Sequence, residues 1–298
     1  MKSIQGPVFN YIDNILNEYS FYHLYRSGRI SHEEYAIQLD VHANILQEKG
    51  IPKSEVHFSS RFPTNVQKFI QSCLIDLFAK NLISEVSYDE EQLESYVGRM
   101  DVEFDHAGYH TFIYPEEAQL LYALTSILKP KSVAFLGSYY GYWAFWSLPL
   151  LQKFGGQAYL VDINDEVNKV AQRNIINFGY ESCAKVITAD ATTFSRTSTE
   201  MFDLIVIDAE GSKNDPDLER CGKRIYHPIL KEALKKLRPG GKVVFHNILL
   251  NNFRYDPYFD FIISHNKTEF MNFLSLVSEN FDLFLEYQST EGIGVAVL

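Results

Sequence analysis

Residues suited to ligand binding and proton transfer follow five short apolar segments in the second half of the chain. In chain order they are Gly137, Ser138, Tyr139 and Gly141; Asp162 and Ile163; Asp190 and Ala191; Asp208; and His246 with Asn247. Glycines let a backbone turn tightly and approach a ligand, and an aspartate after a strand can accept hydrogen bonds from the ribose hydroxyls of an adenosine. Carboxylate, imidazole and amide groups together can move a proton or hold a cation. The set therefore predicts a nucleoside site with reactive groups beside it.

The apolar segments themselves predict the sheet that would bring these residues together. From Lys131 onward they alternate with amphipathic stretches, which is typical of a parallel sheet covered by helices on both faces. The five segments read SVAFLG, AYLVD, AKVITAD, FDLIVID and KVVFHN, and two more, FDLFLEY and GIGVAVL, predict an antiparallel hairpin around Glu291 and Gly292. We predict a Rossmann-like, doubly wound α/β fold with a seven-stranded sheet. Ligands of such sheets bind beyond the carboxyl ends of the strands.

The N-terminal part of the chain has the pattern of helices and carries no catalytic motif. A capping-box pattern begins at Ser31, Thr64 is the predicted N-cap of a second apolar helix, and the acidic run from Asp89 favours a third helix start. The predicted domains are residues 1–110, a helical cap or dimerisation region, and residues 111–298, the ligand-binding catalytic domain.

The composition argues against several kinds of partner. The formal charge of −11 disfavours binding to a nucleic-acid backbone or an anionic membrane, since both need a basic surface. The N-terminal residues lack the apolar core of a secretion signal, and no apolar run reaches the ~18 residues of a membrane span. The three cysteines are far apart in sequence, as expected of small buried residues or free thiols. We expect a cytoplasmic protein that acts on a small molecule.

Two of the aspartates have a structural alternative to ligand binding. Asp162 stands 25 residues beyond Gly137, a spacing that favours ribose binding, but it could also cap the helix that starts near Asp165. Asp190 and Ala191 suit either the edge of an adenine or the cap of a loop. The glycine loop matches neither the dinucleotide pattern GxGxxG nor the phosphate-binding pattern that ends in GK[ST]. A dinucleotide or a nucleoside triphosphate is therefore not the predicted ligand.

The order of these pieces resembles the class I S-adenosylmethionine-dependent methyltransferases, and more narrowly the caffeoyl-CoA and catechol O-methyltransferase group. The resemblance extends from Tyr114 to Leu298. Its segments are YPEEAQ at 114–119, similar to the group's PDEGQ; GSYYGY at 137–142, similar to G-x-Y-x-G-Y; LRPGG at 237–241; and EGIG at 291–294, similar to the closing hairpin turn.

The resemblance implies a role for each predicted site residue. The set that would bind S-adenosylmethionine is Gly137, Ser138, Tyr139 and Gly141 around the methionine part, Asp162 with Ile163 at the ribose, Asp190 with Ala191 at the adenine, and Asp208. The catalytic set is Asp208, His246 and Asn247, which occupy the positions of a divalent-metal site in the metal-dependent members. In those members the metal draws in the acceptor's oxygens and lowers the pKa of a hydroxyl. A homodimer is also implied.

Three positions depart from the group's pattern. Phe135 replaces an acidic residue that usually anchors the cofactor's ammonium end, and Gly211 replaces the lysine expected as general base, with Lys213 near but out of register. His246 replaces the first member of an Asp-Asn pair, and the stretch from Asp208 to His246 is longer than in the group. The three candidate ligands could still bind a metal such as Mn, Fe or Zn. Alternatively, neutral His246 is the general base of a metal-free transfer.

The leading prediction is methyl transfer to a hydroxyl of a small aromatic or hydroxylated acceptor. An alternative is transfer or cyclisation of the aminocarboxypropyl arm, because Phe135 in VAFLGS resembles the first motif of nicotianamine-synthase-like enzymes. Six aromatic side chains would then surround the sulfonium: Phe135, Tyr139, Tyr140, Tyr142, Trp143 and Trp146. A third alternative is a catalytically silent partner of another enzyme. His106 and His110 in FDHAGYHTF are either pocket residues or structural histidines.

Overall fold

A seven-stranded mixed sheet forms the centre of the molecule. The computed structural model describes residues 5–252 and 256–298. The strands are β1 Ser132–Leu136, β2 Gln157–Asp162, β3 Ala184–Thr188, β4 Phe202–Ile207, β5 Leu237–Phe245, β6 Leu283–Tyr287 and β7 Ile293–Val297. Their order is β3-β2-β1-β4-β5-β7-β6, with β7 antiparallel to both β5 and β6 and the other neighbours parallel. The predicted doubly wound sheet and its closing hairpin are confirmed.

Helices cover both faces of this sheet and make up the N-terminal part. They are α1 Val8–Leu16, α2 Ser20–Arg26, α3 His32–Glu48, α4 Lys53–Phe58, α5 Val66–Ala79, α6 Glu90–Glu103, α7 Pro115–Leu128, α8 Tyr142–Phe145, α9 Leu148–Phe154, α10 Asp165–Phe178, α11 Ala191–Thr197, α12 Tyr226–Ala233, α13 Pro257–Glu269 and α14 Met271–Asn280. Short 3-10 turns lie at Ser59–Arg61, Leu218–Arg220, Lys223–Ile225 and Leu234–Lys236. A two-residue parallel pairing joins Gly6–Pro7 to His110–Thr111. Within the described residues, no helix combines the length and apolar character needed to cross a bilayer.

The predicted helix starts can be compared with the observed caps. Ser31 caps α3 in a capping box, as predicted, and Asp89 caps α6. Thr64 does not cap α5, because the helix begins at Val66 and the side chain of Asn65 accepts a free N–H of its first turn. The prediction was thus wrong by one residue at this helix, where two residues with capping side chains are adjacent.

Three apolar cores hold these elements together. Two lie on opposite faces of the sheet, and the first of them contains Leu74 of α5 and Met100 of α6 together with Leu160 of β2. The third joins the first four helices to α13, for example through Phe62 and Phe259. Side chains from residues before 111 therefore pack directly on the sheet and on its last helices. The domain boundary at residue 110 remains a prediction, since two of the three cores contain residues from both sides of it and one core lies entirely after it.

Candidate active site

A cavity of about 580 Å³ opens where the parallel strands end. Its walls come from the ends of β1 to β5, the segment 110–113 and the loop 208–225. It brings together nine of the predicted site residues: Gly137, Tyr139, Asp162, Ile163, Asp190, Ala191, Asp208, His246 and Asn247. Ser138 lines a small adjoining pocket, and Gly141 packs against Leu160 in the core. The carboxyl ends of parallel strands share one edge of the sheet, so residues far apart in sequence meet here.

The glycine loop after β1 brings the backbone against the end of β4. Gly137 has a φ of +82°, and a side chain at this position would overlap the carbonyl oxygen of Asp208. Glycine tolerates both the conformation and the close approach. The hydroxyl oxygen of Ser138 is buried without a hydrogen-bond partner among the described residues. A buried polar atom without a partner calls for one, and a ligand in the adjoining cavity could supply it.

Asp162 ties the end of β2 to the glycine loop. Its carboxylate accepts the N–H of Tyr139 at 2.9 Å and the N–H of Asn164 at 2.9 Å. Burial raises the pKa of Asp162. The side chain that caps α10 is Asn164, so the alternative role of Asp162 as that cap is wrong. A carboxylate has about four acceptor positions, which leaves Asp162 capacity for the hydroxyls of a ribose in the cavity.

Asp190 already has two protein partners. One oxygen accepts the N–H of Thr193 at 2.8 Å and thereby caps α11. The other oxygen pairs with the guanidinium of Arg220 at 2.5 Å. The loop-cap alternative for Asp190 is therefore present in the structure. Contact of Asp190 and Ala191 with an adenine stays a prediction.

His246 lies in a buried chain of charges between two carboxylates. Its Nε2 is 2.8 Å from Oε2 of Glu117, and its Nδ1 is 3.3 Å from Oδ1 of Asp208. Burial alone would lower the pKa of His246, but the two carboxylates raise it to about 10. The two carboxylates therefore favour the charged, imidazolium form of His246, whose side chain is only 1% exposed. Burial opposes ionisation of Asp208, yet the charge of His246 holds its pKa below the usual range.

Glu117 is the member of this chain that sequence reasoning missed. Its Oε2 accepts the N–H of Tyr114 at 2.9 Å in addition to its contact with His246. Its Oε1 accepts the hydroxyl of Ser289 at 2.7 Å and the N–H of Glu291 at 2.8 Å. Four contacts hold this carboxylate in one orientation. The available signal was the segment YPEEAQ, which the resemblance matched to PDEGQ ahead of the first helix of the fold without giving either glutamate a role.

Glu116 and Arg61 fix the turn of the closing hairpin next to Glu117 through hydrogen bonds. Glu116 accepts the N–H and the hydroxyl of Thr290 at 2.8 and 2.5 Å. Buried Arg61 donates to the carbonyl oxygens of Ser289 and Thr290. Burial raises the pKa of Glu116 to about 7 and that of Glu291 to about 8. One polar cluster thus joins Arg61 of the N-terminal part, the start of α7 and the hairpin turn. The cluster fixes Glu117, which contacts His246.

Comparison with known proteins agrees with this geometry. A family model described as a methyltransferase domain matches residues 134–248. The predicted enzyme class is thereby confirmed for the part of the chain that carries the glycine loop, Asp162, Asp190 and His246.

Solved structures of methyltransferases share the fold of most of this chain. An S-adenosylhomocysteine-bound methyltransferase from Podospora anserina is similar with a TM-score of 0.51 and 14% identity, over 72% of this chain and 97% of that one. A Staphylococcus aureus protein described as a caffeoyl-CoA O-methyltransferase is similar with a TM-score of 0.50 and 15% identity, over 76% of this chain and 98% of that one. A search of curated proteins found no match. The class I methyltransferase fold that the resemblance implied is confirmed.

The aromatic residues near the glycine loop belong mostly to the core of the methyltransferase domain. Five of the six predicted to surround a sulfonium are at most 8% exposed: Phe135, Tyr140, Tyr142, Trp143 and Trp146. Tyr139 is 40% exposed and is the member of the six that lines the large cavity. Phe135 and Trp143 line the small pocket that also contains Ser138, and Tyr140, Tyr142 and Trp146 pack in the core. The aromatic cage around a sulfonium stays a prediction.

The two histidines before α7 have different environments. His110 lines the cavity. His106 lies with Nδ1 3.0 Å from the hydroxyl of Tyr140, and its ring is 5.0 Å from that of Phe104. Burial lowers the pKa of His106. His106 is a structural residue, whereas His110 can contact a ligand.

The three candidate metal ligands converge at the edge of the cavity. The amide of Asn247 lies 3.3 Å from Oδ1 of Asp208 and 3.0 Å from Nδ1 of His246. Nε2 of His246 faces Glu117, while Nδ1 faces both Asp208 and the amide of Asn247. Within residues 5–252 and 256–298, no group of three His, Cys, Asp or Glu side chains is arranged to hold a cation. Glu117 and Asp208 favour the charged form of His246, which has no lone pair for a metal or for a proton. Metal binding and general-base catalysis by His246 both stay predictions.

Proposed function

We propose that this chain is an S-adenosylmethionine-dependent O-methyltransferase that modifies a hydroxyl group of a small molecule. The observation that carries the proposal is the shared cavity, which is lined by the glycine loop and Asp162 and also by Asp208 and Asn247. Its volume is within the range of small-molecule sites, about 300–1,000 Å³, and leaves space for an acceptor beside a nucleoside. The described activity of the Staphylococcus aureus neighbour supports oxygen as the accepting atom.

The residues of the cavity fit the cofactor. The buried hydroxyl of Ser138 lacks a partner among the described residues, and the carboxylate of Asp162 has acceptor positions left. The glycine loop would hold the methionine end, Asp162 with Ile163 the ribose, and Asp190 with Ala191 the adenine. When bound, S-adenosylmethionine supplies an electrophilic methyl group.

The acceptor would lie against the ends of β4 and β5. There the side chain of Asp208 is 28% exposed and is held ionised by His246. An ionised carboxylate can accept the hydrogen bond of an acceptor hydroxyl and so orient its oxygen. Orientation of the two reactants is a large part of what such a transfer requires.

The test is incubation of the full chain with S-adenosylmethionine and a panel of phenols, catechols and aliphatic alcohols. Mass spectrometry then identifies the nucleoside product and any methylated acceptor. We expect S-adenosylhomocysteine together with a methyl ether. Methylthioadenosine would instead indicate transfer of the aminocarboxypropyl arm. Tight cofactor binding without product across the whole panel would indicate a silent binding protein.

A chelator in the same assay tests the role of a metal. We expect the rate with EDTA to equal the rate without it, because Glu117 and Asp208 favour the charged form of His246, which has no lone pair for a metal. A rate that falls in EDTA and recovers on addition of Mn²⁺ or Zn²⁺ would contradict this expectation and restore Asp208, His246 and Asn247 as metal ligands.

A further inference from the structure

The loop between β4 and α12 lines part of the cavity and folds back on itself directly before Lys223. We name residues 211–222 the return loop. Its base is closed by backbone hydrogen bonds between Gly211 and Gly222, at 2.9 and 3.3 Å. A side chain at position 211 would overlap the carbonyl oxygen of Arg220. Position 211 therefore cannot carry a lysine while the base is closed, and Lys223, which follows the base directly, lines the cavity.

Contacts on both sides fix the position of Lys223. Arg220 pairs with Asp190 at the end of β3, at 2.5 Å. Glu269 of α13 accepts the backbone N–H of Lys223 at 2.9 Å and pairs with Arg224 at 3.1 Å. The return loop is thus held between the strand ends and α13, and Lys223 enters the cavity from a fixed backbone.

The ammonium group of Lys223 has unused donors. It donates one long hydrogen bond, 3.4 Å, to the carbonyl oxygen of Ala209. No carboxylate of the described residues forms an ion pair with it, whereas Arg220 of the same loop is paired with both Asp190 and Asp215. An ammonium has three donors. Two of them are therefore available to a ligand.

We propose that Lys223 binds the reacting oxygen of the acceptor in its ionised form, so that the return loop selects acceptors with an acidic hydroxyl, such as a phenol or a catechol. The proposal rests on the proposed function. Asp208, a carboxylate of the cavity wall, lies 3.3 Å from the ring of His246, whose charged form compensates it. The ammonium of Lys223 is thus the group that can compensate the negative charge of an ionised acceptor oxygen in the cavity.

The experiment uses 4-nitrocatechol, a chromogenic phenol whose absorption changes when it ionises, with the full chain saturated by S-adenosylhomocysteine. Lys223→Met removes the ammonium and keeps an unbranched side chain, and Lys223→Arg restores the charge. Lys213→Met is the matched control, because Lys213 is an exposed lysine of the same loop that does not line the cavity. Lys223→Gln is measured in parallel, and thermal melting checks that each variant folds.

The wild type and Lys213→Met should bind the probe as the phenolate. Lys223→Met and Lys223→Gln should bind it about 10- to 100-fold more weakly, the effect of losing a hydrogen bond to a charged group, and Lys223→Arg should recover part of the affinity. Equal affinity in the Lys223 variants, or no probe binding to the loaded wild type, would overturn the role of Lys223. Failure of the wild type to bind S-adenosylhomocysteine is a separate result, and it would contradict the proposed function itself.

Discussion

Glu117, His246 and Asp208 form one buried chain of charged groups. The two carboxylates stabilise the charged form of His246, and that charge stabilises the ionised form of Asp208. The imidazolium lies between two carboxylates in a region that water scarcely reaches. Removing one partner of a buried ion pair leaves the other charge without compensation, and this usually costs more than the pair contributed. The orientation of Asp208 toward the cavity therefore depends on Glu117, which does not itself line the cavity.

Replacement of Glu117 by glutamine tests this dependence. We expect Glu117→Gln to lower the free energy of unfolding by about 3–5 kcal/mol, because the charge of His246 loses its buried partner. Chemical denaturation at pH 6 measures the change. Glu116→Gln is the control at the adjacent buried position, where a pKa of about 7 keeps the native carboxyl mostly neutral. Equal losses in the two variants would contradict the assigned charge of the unit.

Asp162 is the residue for which a cofactor prediction is most direct. We expect Asp162→Asn to weaken binding of S-adenosylhomocysteine about 10- to 100-fold, since hydrogen bonds from the ribose would then go to a neutral amide. Isothermal titration calorimetry measures the affinity. Asp165→Asn, at the exposed start of α10, should bind as the wild type does. Unchanged affinity in Asp162→Asn would exclude Asp162 from the ribose site.

At the scale of single elements, the return loop depends on the backbone pairing at its base. We expect Gly211→Ala to open that base, because the added methyl group would overlap the carbonyl oxygen of Arg220. Hydrogen exchange of residues 209–223 should accelerate, and trypsin should cut faster at exposed Lys213. Stability of the sheet should change little, since the loop contributes few residues to the apolar cores.

Gly98→Ala is the matched control for this change. Gly98 lies inside α6, and nothing lies within 4 Å of a methyl group added there. Alanine at such a site typically adds about 0.4–1 kcal/mol of stability through the unfolded state. Loop exchange in Gly98→Ala should match the wild type. An unchanged exchange rate in Gly211→Ala as well would show that the base can shift to admit a side chain.

At the scale of the whole molecule, three raised pKa values predict how stability depends on pH. The folded pKa is about 10 for His246, about 7 for Glu116 and about 8 for Glu291, against usual values of 6.5, 4.5 and 4.5. A group whose pKa is raised by folding contributes stability below its usual pKa and loses it as the pH rises through the folded value. The contribution of each of the three groups to stability therefore decreases as the pH rises.

We expect the free energy of unfolding to fall by a few kcal/mol between pH 6 and pH 10, since each unit of pKa difference corresponds to about 1.4 kcal/mol. Urea denaturation across this range measures the fall. Glu291→Gln, which is neutral at every pH, should flatten the part of the curve below about pH 8. A wild-type stability that is constant or rises toward pH 10 would contradict the prediction.

The sequence by itself determined the sheet and the ligand-binding edge. Alternation of short apolar segments with amphipathic ones is a local pattern, and it predicts a parallel sheet. Ligands bind at the carboxyl ends of parallel strands, so the sequence also predicted that Asp162, Asp208 and His246 share one site. The glycine loop was also recognisable from a local pattern, because a glycine directly after a predicted strand indicates a tight turn, and Gly137 has the positive φ of such a turn.

Only the tertiary structure decided the chemistry at that edge. Glu117 and His246 are separated by 129 residues, and Glu117 and Ser289 by 172, so no local pattern shows that they share a proton or a hydrogen bond. The same holds for the return loop, because the closed base of Gly211 and Gly222 brings Lys223 to the cavity. The charge state of a buried side chain depends on its neighbours in space, and those neighbours come from elements that the sequence lists far apart.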